Sequence, residues 1–290
     1  MKYPIVKTIT ADNLELYGIL TEAKGKKDAI LINIHGTSGC FYIEDYTPFF
    51  VEELPALGIA TLFTNNRGSH VMEAWQNSGA ALEIFEACVL DIDAWIQHAL
   101  NLGYRRIFLQ GHSLGTEKVV YYMNKGSNTR SVTAVILLGI SDSFGNQALI
   151  AKRFPADPMV EAKRLTAEGK GEQFLTSIWR PHGGGVPQSA ASYLNFFSPG
   201  SELSKAIPLR QRGELAYYRK IRVPLLVVVG EFDPFTCIPV PEAIRVLEKE
   251  NPRTLTQVIA DTDHDFSGKG KELVEIIKDF LKRHLPVPRS

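Results

Sequence analysis

Cysteine is scarce in this chain: Cys40, Cys88 and Cys237 are all it has, odd in number and far apart. That excludes a disulfide framework, and the three read as reduced thiols of a cytoplasmic compartment. An excess charge of either sign is lacking too. Lys plus Arg and Asp plus Glu number 32 each, giving zero formal net charge at pH 7. This argues against nucleic acid or an acidic membrane surface as the main partner. Long apolar runs are missing: residues 134–138 and 225–229 are among the longest, against the roughly 18 that a membrane span needs. The opening Met1-Lys2-Tyr3-Pro4 leads into an alternating segment and not an apolar signal core, so export is not expected. The seven histidines are scattered with no His-x-x-x-His pair, and neither G-x-x-x-x-G-K-[ST] nor G-x-G-x-x-G occurs. No metal and no nucleotide cofactor is therefore expected.

What is present is ordinary globular composition, 44% apolar and 22% charged over 290 residues. That excludes a disordered chain and allows one large domain or two small ones. Residues 5–9 and 14–20 alternate and predict an antiparallel hairpin. From residue 29 onward strands and helices alternate: strands at 29–34, 59–63, 106–109, 132–138, 223–229 and 254–259, and helices at 49–57, 80–102, 114–123, 238–247 and 272–281. This rhythm implies an α/β fold with a mainly parallel central sheet and helices on both faces. It breaks between about residues 140 and 223, where no clear strand is visible. A structureless loop of that length is improbable in a compact domain, so residues 143–219 are expected to form a mostly helical insertion over the sheet.

The segment Gly111-His112-Ser113-Leu114-Gly115 fits G-x-S-x-G between an apolar strand and a helical pattern. A strand-to-helix elbow projects such a serine above the sheet edge, and flanking glycines avoid clashes in the turn. A serine hydroxyl needs a base. His264, just after the last strand, is the candidate, because open α/β sheets place their sites at the carboxyl edge. A base needs an orienting acid. Asp233, after the penultimate strand, is preferred; Asp142, after the strand that precedes the insertion, and Glu231 stay open as alternatives. Asp261, Asp263 and Asp265 read as loop-forming residues.

The order Ser113, Asp233, His264, with the His35-Gly36 turn, the elbow and the turn from Gly230 to Asp233, resembles the α/β-hydrolase superfamily of esterases, lipases and acyl hydrolases. The resemblance covers residues 1–142 and 220–290 as the core and treats 143–219 as a cap insertion. It implies an oxyanion hole from the backbone N–H groups of Leu114 and Thr37, and a structural role for His35. One departure is visible: many relatives carry Asp-x-Arg-Gly after the fourth strand, and this chain has Asn65-Asn66-Arg67-Gly68. His70, just beyond, reads as a surface residue.

The function expected is hydrolysis of a carboxylic ester or related acyl bond through an acyl-enzyme on Ser113, with a small-molecule acyl substrate and no cofactor. Amide, thioester or lactone hydrolysis and acyl transfer use the same triad, and a non-catalytic binding protein of the same fold is the reading from a different class. Aromatics of the insertion, including Phe154, Trp179, Phe196 and Phe197, are expected to divide between lining an apolar pocket and packing the cap. The run from Arg180 to Pro187 is expected to be a mobile turn that gates access.

Overall fold

The computed structural model describes residues 4–25, 28–154, 156–178 and 185–285. Trp179 and residues 180–184 of the expected gating turn lie outside them. The chain opens with an antiparallel hairpin, β1 (Ile5–Ile9) and β2 (Glu15–Thr21), turned by Asn13 at a left-handed φ of 67°. Then follow β3 (Ala29–Ile34), α1 (Thr47–Glu53), a 3₁₀ turn at Leu54–Leu57 and β4 (Ile59–Thr64). Gly58, with φ 79°, ends the helical stretch as a left-handed cap.

The periodicity of residues 80–102 predicts one long helix, but α2 covers only Cys88–Asn101, after a 3₁₀ turn at Phe85–Ala87. The preceding residues are held by partners elsewhere. Ala80 and Ala81 donate their N–H groups to the carbonyls of His70 and Val71, Ser189 N donates to Ala81 O, and Ser192 Oγ donates to Glu83 O. Tertiary hydrogen bonds thus claim the backbone groups that a helix would have paired.

The remaining core elements are β5 (Arg106–His112), α3 (Leu114–Lys125) and β6 (Val132–Leu138). After β6 come α4 (Ser143–Ala151), α5 (Pro158–Ala167), α6 (Ala190–Phe197) and α7 (Glu202–Ala206). Each of these four starts on a side-chain cap, from Asp142, Asp157, Ser189 and Ser201 respectively, which satisfies one of the free N–H groups of the first turn. The chain returns to the sheet as β7 (Leu225–Gly230), α8 (Val240–Glu250), β8 (Thr254–Ile259) and α9 (Gly270–Lys282).

The eight strands form one sheet in the order β1-β2-β4-β3-β5-β6-β7-β8, parallel from β4 through β8. Side-chain alternation divides its core. Ile30, Ile32 and Ile34 of β3 join the apolar layer under α2, α3 and α8, while Ala29 and Leu31 join the layer under α1 and α9. Residues 143–219 pack in two ways. Phe196, Leu203, Ile207, Leu209 and Tyr218 belong to the first of these layers. Ala162, Leu165, Leu175, Ile178, Ala190 and Tyr193 make a small core of their own.

Because the sheet is parallel, the loops after β3, β5, β7 and β8 all emerge at one edge. Strand order reverses between β3, whose connection runs to β4, and β5, whose connection runs to β6 on the other side, and a crevice opens at such a switch point.

The turn after β4 is anchored from below. The Arg67 guanidinium forks onto Asp91 of α2 at 2.8–3.2 Å and reaches Asp12 of the hairpin at 3.0 Å. Asn65, at the acid position of the usual pattern, accepts from Phe41 N through its side chain at 3.1 Å and from Trp95 Nε1 through its carbonyl at 2.9 Å. Asp91 is fully buried. Its replacement by Ala leaves the Arg67 charge largely buried and short of a partner, and should cost about 3 kcal/mol or more. Urea unfolding should show the midpoint falling with an unchanged slope; a loss under about 1 kcal/mol would refute the anchoring role.

Candidate active site

Ser113 joins β5 to α3 at φ 55° and ψ −128°, a region that non-glycine residues enter at a cost of about 1–3 kcal/mol. Its neighbours hold it there. Ser113 N donates to Leu138 O at 3.0 Å, and its carbonyl accepts from Thr116 N at 2.8 Å and Thr116 Oγ1 at 2.7 Å. The glycines around it are sterically required. A Cβ on Gly111 would lie 2.3 Å from Gly115 O, one on Gly115 2.2 Å from Ile34 O, and one on Gly36 2.6 Å from Ser113 Cβ. As the first residue of α3, Leu114 has an N–H with no intrahelical acceptor. Thr37 lines the same space as Ser113.

His264 follows β8 and is buried, with Nδ1 2.8 Å from Asp233 Oδ2. The other Asp233 oxygen accepts from Phe235 N at 2.8 Å. Nδ1 thus carries a proton toward the carboxylate, and Nε2 is buried without a partner. No hydrogen bond joins Ser113 Oγ to that nitrogen in this structure. Gly139, at φ 53°, leaves room for the ring, since a Cβ there would lie 3.0 Å from His264 Nδ1.

The other acids weighed from the sequence lie elsewhere. Asp142 is tied to the Arg210 guanidinium and accepts from Arg210 N and Gly145 N, each at 2.9 Å. Glu231 is exposed and accepts from Asp261 N at 3.0 Å. Asp263 accepts from Ser267 and Asp265 and shapes the loop that carries His264. His35 is fully buried, with Nδ1 on Gly36 O at 2.7 Å and Nε2 on Ser69 Oγ at 2.8 Å. Burial and the Lys118 charge lower its pKa to about 3, so it is neutral. His70 faces Glu73 and lines neither cavity described below.

Several residues of the site had not been singled out. His112, the variable residue of the elbow, donates from Nε2 to His264 O at 3.1 Å and meets Glu44 Oε1 at 3.3 Å through Nδ1. Burial opposes its protonation, but Glu44, the His264 carbonyl and Asp265 outweigh that and raise its pKa. Phe235 stacks at a tilt on His264, ring centroids 4.3 Å apart. Under the site Lys118 Nζ lies 2.6 Å from Glu83 Oε1, both side chains buried. Gly68 leaves space for that carboxylate, as a Cβ there would lie 2.1 Å from Glu83 Oε2. Glu117 accepts from Ser141 Oγ at 2.9 Å, Ser143 N at 3.0 Å and Ser143 Oγ. The signal was present in the sequence: a Glu-Lys pair at the end of the first turn of a helix that has to be buried.

Two cavities meet at Ser113. One, of about 250 Å³, runs under the 143–197 helices and is walled by Leu114, Ile150, Phe154, Ile178, Phe196 and Phe197, with Glu83, Asn146 and Gln147 among its polar residues. The other, of about 490 Å³, is walled by the Gly36–Gly39 loop, Glu44, Asp45, His112, His264 and Asp265. A larger cleft of about 510 Å³, beside Arg67 and Trp75, shares Glu83 with the first cavity but touches none of Ser113, Asp233 and His264. Among the described residues one group has metal-ligand spacing: atoms of His112, His264 and Asp265 lie within 4.8 Å of one another. Spacing along the chain carries no hint of it, because His112 ends β5 while His264 and Asp265 lie in the loop after β8, and Asp265 is exposed. Cys237 is no rival nucleophile: burial, Asp142 and Glu117 push its pKa up to about 12.

A family model described as "Protein of unknown function (DUF1749)" matches residues 86–282, a span that includes Ser113, Asp233 and His264. The chain belongs to this family. No curated protein matches this DUF1749 member by sequence. Its fold is that of the α/β hydrolases. Est1E from Butyrivibrio proteoclasticus superposes with a TM-score of 0.64 at 17% identity, over 96% of this chain and 97% of that one. The Pyrococcus furiosus esterase Pf2001 gives 0.60 at 19%, over 98% and 92%. A soluble variant of monoglyceride lipase from Saccharomyces cerevisiae gives 0.64 at 14%, over 99% and 97%. Among the described residues of this DUF1749 chain no helix is long and apolar enough to cross a membrane.

Burial and the charge of Asp142 raise the Glu117 pKa from 4.5 to about 8, against the hydrogen bonds of Ser141 and Ser143. Between those two values the native state keeps a proton that the unfolded chain releases, so stability falls as pH rises through that window. Glu117→Gln removes this dependence. Its stability relative to wild type should therefore climb from about pH 5 to about pH 8 in thermal or urea melts. A pH-independent difference would show that Glu117 ionises normally.

Proposed function

We propose that the protein is a serine hydrolase that cleaves carboxylic esters, with Ser113 as nucleophile, His264 as general base and acid, and Asp233 as the orienting acid. The observation that carries this reading is the polarity of His264: one nitrogen is fixed by Asp233 at 2.8 Å, and the other is buried and unpartnered beside the cavity that Ser113 lines. Proton transfer needs a hydrogen bond from Ser113 Oγ to Nε2, which in free enzymes is commonly long and tightens with substrate. The esterase and lipase names of the superposed structures support an ester as the bond cut.

The chemistry follows from the groups present. Ser113 Oγ attacks the ester carbonyl as its proton passes to His264 Nε2. Asp233 fixes the tautomer and stabilises the imidazolium that forms. The N–H groups of Leu114 and Thr37 receive the oxyanion, each worth roughly 3–4 kcal/mol in the transition state. The alcohol leaves with the proton from His264, and water, activated by the same nitrogen, releases the acid. No cofactor takes part. The three free thiols suit a reducing compartment, and the cytoplasm is the location this reading carries.

Residues 143–219 act in this reading as a cap inserted into a core of 1–142 and 220–290. They supply Ile150, Phe154, Ile178 and Phe197 to the apolar cavity beside Ser113, and that cavity takes the acyl chain. Ester hydrolysis is preferred to amide hydrolysis on the strength of the superposed esterases and lipases.

Ser113→Ala should lower kcat on p-nitrophenyl esters by about 10⁴-fold or more and abolish fluorophosphonate labelling, with folding retained. A variant with a tenth of wild-type activity would remove Ser113 from the role. Asp233→Asn should cost roughly 10⁴-fold through the wrong His264 tautomer, and Asp142→Asn far less; the reverse order in kcat would reassign the acid. Phe197→Ala should change kcat/KM by about 1–3 kcal/mol, unequally for short and long acyl chains. An unchanged chain-length profile with a lowered Tm would make Phe197 a packing residue.

A further inference from the structure

The two cavities at Ser113 differ in charge as well as polarity. Among the described residues neither is lined by Lys or Arg. Among the described residues the only charged one on the smaller cavity is Glu83, already paired with Lys118. The larger carries Glu44, Asp45 and Asp265. The basic side chains on it are His112, which faces Glu44 at 3.3 Å and Asp265 at 3.7 Å, and His264, which Asp233 holds. Counting His112 as charged, three acids and one cation leave this cavity with an excess of negative charge. Asp45 is exposed, and the Asp265 side chain is 67% exposed although it faces His112 at 3.7 Å, so both carboxylates are accessible to a ligand. An aromatic face is present as well: Phe235 is exposed and lines both cavities beside Ser113. Acidic groups around an aromatic face are the chemistry that recognises an organic ammonium ion. His264 Nε2, on a side chain more than nine-tenths buried and without a partner, marks the cavity as one built to receive a group.

We propose that the larger cavity holds the alcohol half of the ester and selects alcohols that carry a quaternary or primary ammonium group, against anionic ones. The inference rests on the hydrolase reading above and adds the leaving-group class. The scissile C–O bond breaks with its electron pair on the alcohol oxygen, which takes the proton from His264 Nε2. The alcohol therefore departs past His264, on the side of Glu44, Asp45 and Asp265. Thioesters of phosphate-bearing carriers are disfavoured by the same feature, since phosphate groups are bound by Arg and Lys.

The test compares butyrate esters of choline, of its uncharged carbon isostere 3,3-dimethylbutan-1-ol, and of 2-hydroxyethanesulfonate, each rate normalised to hydroxide-catalysed hydrolysis. At low salt kcat/KM should favour the cationic ester over the neutral one by about 5-fold or more, with the anionic ester last. At roughly 1 M salt, where the Debye length is about 3 Å, the three should converge. The double substitution Asp45→Asn and Asp265→Asn should shrink the cation-to-neutral ratio by about threefold. Equal normalised rates in the wild type, or a ratio that the double variant leaves alone, would overturn the assignment. A second measurement separates this from the reaction itself: tetramethylammonium binding to Ser113→Ala protein, followed by NMR with and without the two Asn substitutions. If no ester turns over but tetramethylammonium binds and loses affinity with those substitutions, the hydrolase reading falls and the cation site stands. If tetramethylammonium binds no better than tert-butanol, the cation site falls whatever the turnover.

Discussion

A methyl group at Gly115 would sit 2.2 Å from the carbonyl oxygen of Ile34, and one at Gly36 would meet Ser113 Cβ at 2.6 Å. The end of β3 and the first turn of α3 therefore touch backbone to backbone, with no side chain between them. Everything at the candidate site is referred to that contact. It fixes where the Gly36–Gly39 loop runs, and so where the Thr37 N–H lies relative to that of Leu114. It also forces Ser113 into its positive φ, because the chain has to turn from strand to helix within one residue. A similar approach recurs on the far side, where a Cβ on Gly230 would lie 2.1 Å from Asp263 O, so that glycine sets the spacing between the loops of Asp233 and His264.

Buried charge is the second feature of the molecule. Lys118 pairs with Glu83, Arg67 with Asp91, and Arg210 with Asp142, and in each pair the acid's side chain is almost wholly buried. Such pairs seldom add net stability over apolar packing, since desolvation offsets much of the attraction. What they do here is join separate segments. Glu83 links the irregular stretch before α2 to α3, and Asp142 links the end of β6 to residue 210. Both links bear on the apolar cavity, which Glu83 and Ser143 line.

Most of the sheet was legible because buried parallel strands are short apolar runs between turn residues, and 29–34, 132–138 and 254–259 coincide with the observed strands. The helix expected over 80–102 was too long at its start. Periodicity records which side chains are buried: Phe85 is buried in a 3₁₀ turn whose first N–H is taken by the Asn195 side chain, and Ala80 and Ala81 before it are held by residues 70, 71 and 189. Ser113, His264 and Asp233 stood out because each follows a strand at the same edge. The choice between Asp233 and Asp142 was open in the sequence, since both sit at strand ends; the Arg210 contact that occupies Asp142 comes from 68 residues away. Glu44, Asp45 and Phe235 carried no signal. They lie in loops without periodicity, and only the folded path brings them to Ser113.

The two-part packing of residues 143–219 bears on how such a chain can diverge. Phe196, Leu203, Ile207, Leu209 and Tyr218 are bricks of the main apolar layer, so a change there is a change to the core. Leu165, Leu175 and Ile178 pack on a separate patch that meets the rest through α6. The stretch from α5 to the start of α6 is thus a replaceable façade: it can be exchanged, lengthened or recoloured with new side chains while the wall behind it stands. Chimeras between relatives should be joined inside α6, near Tyr193, and not at residue 219, where the sequence pattern alone would have drawn the seam.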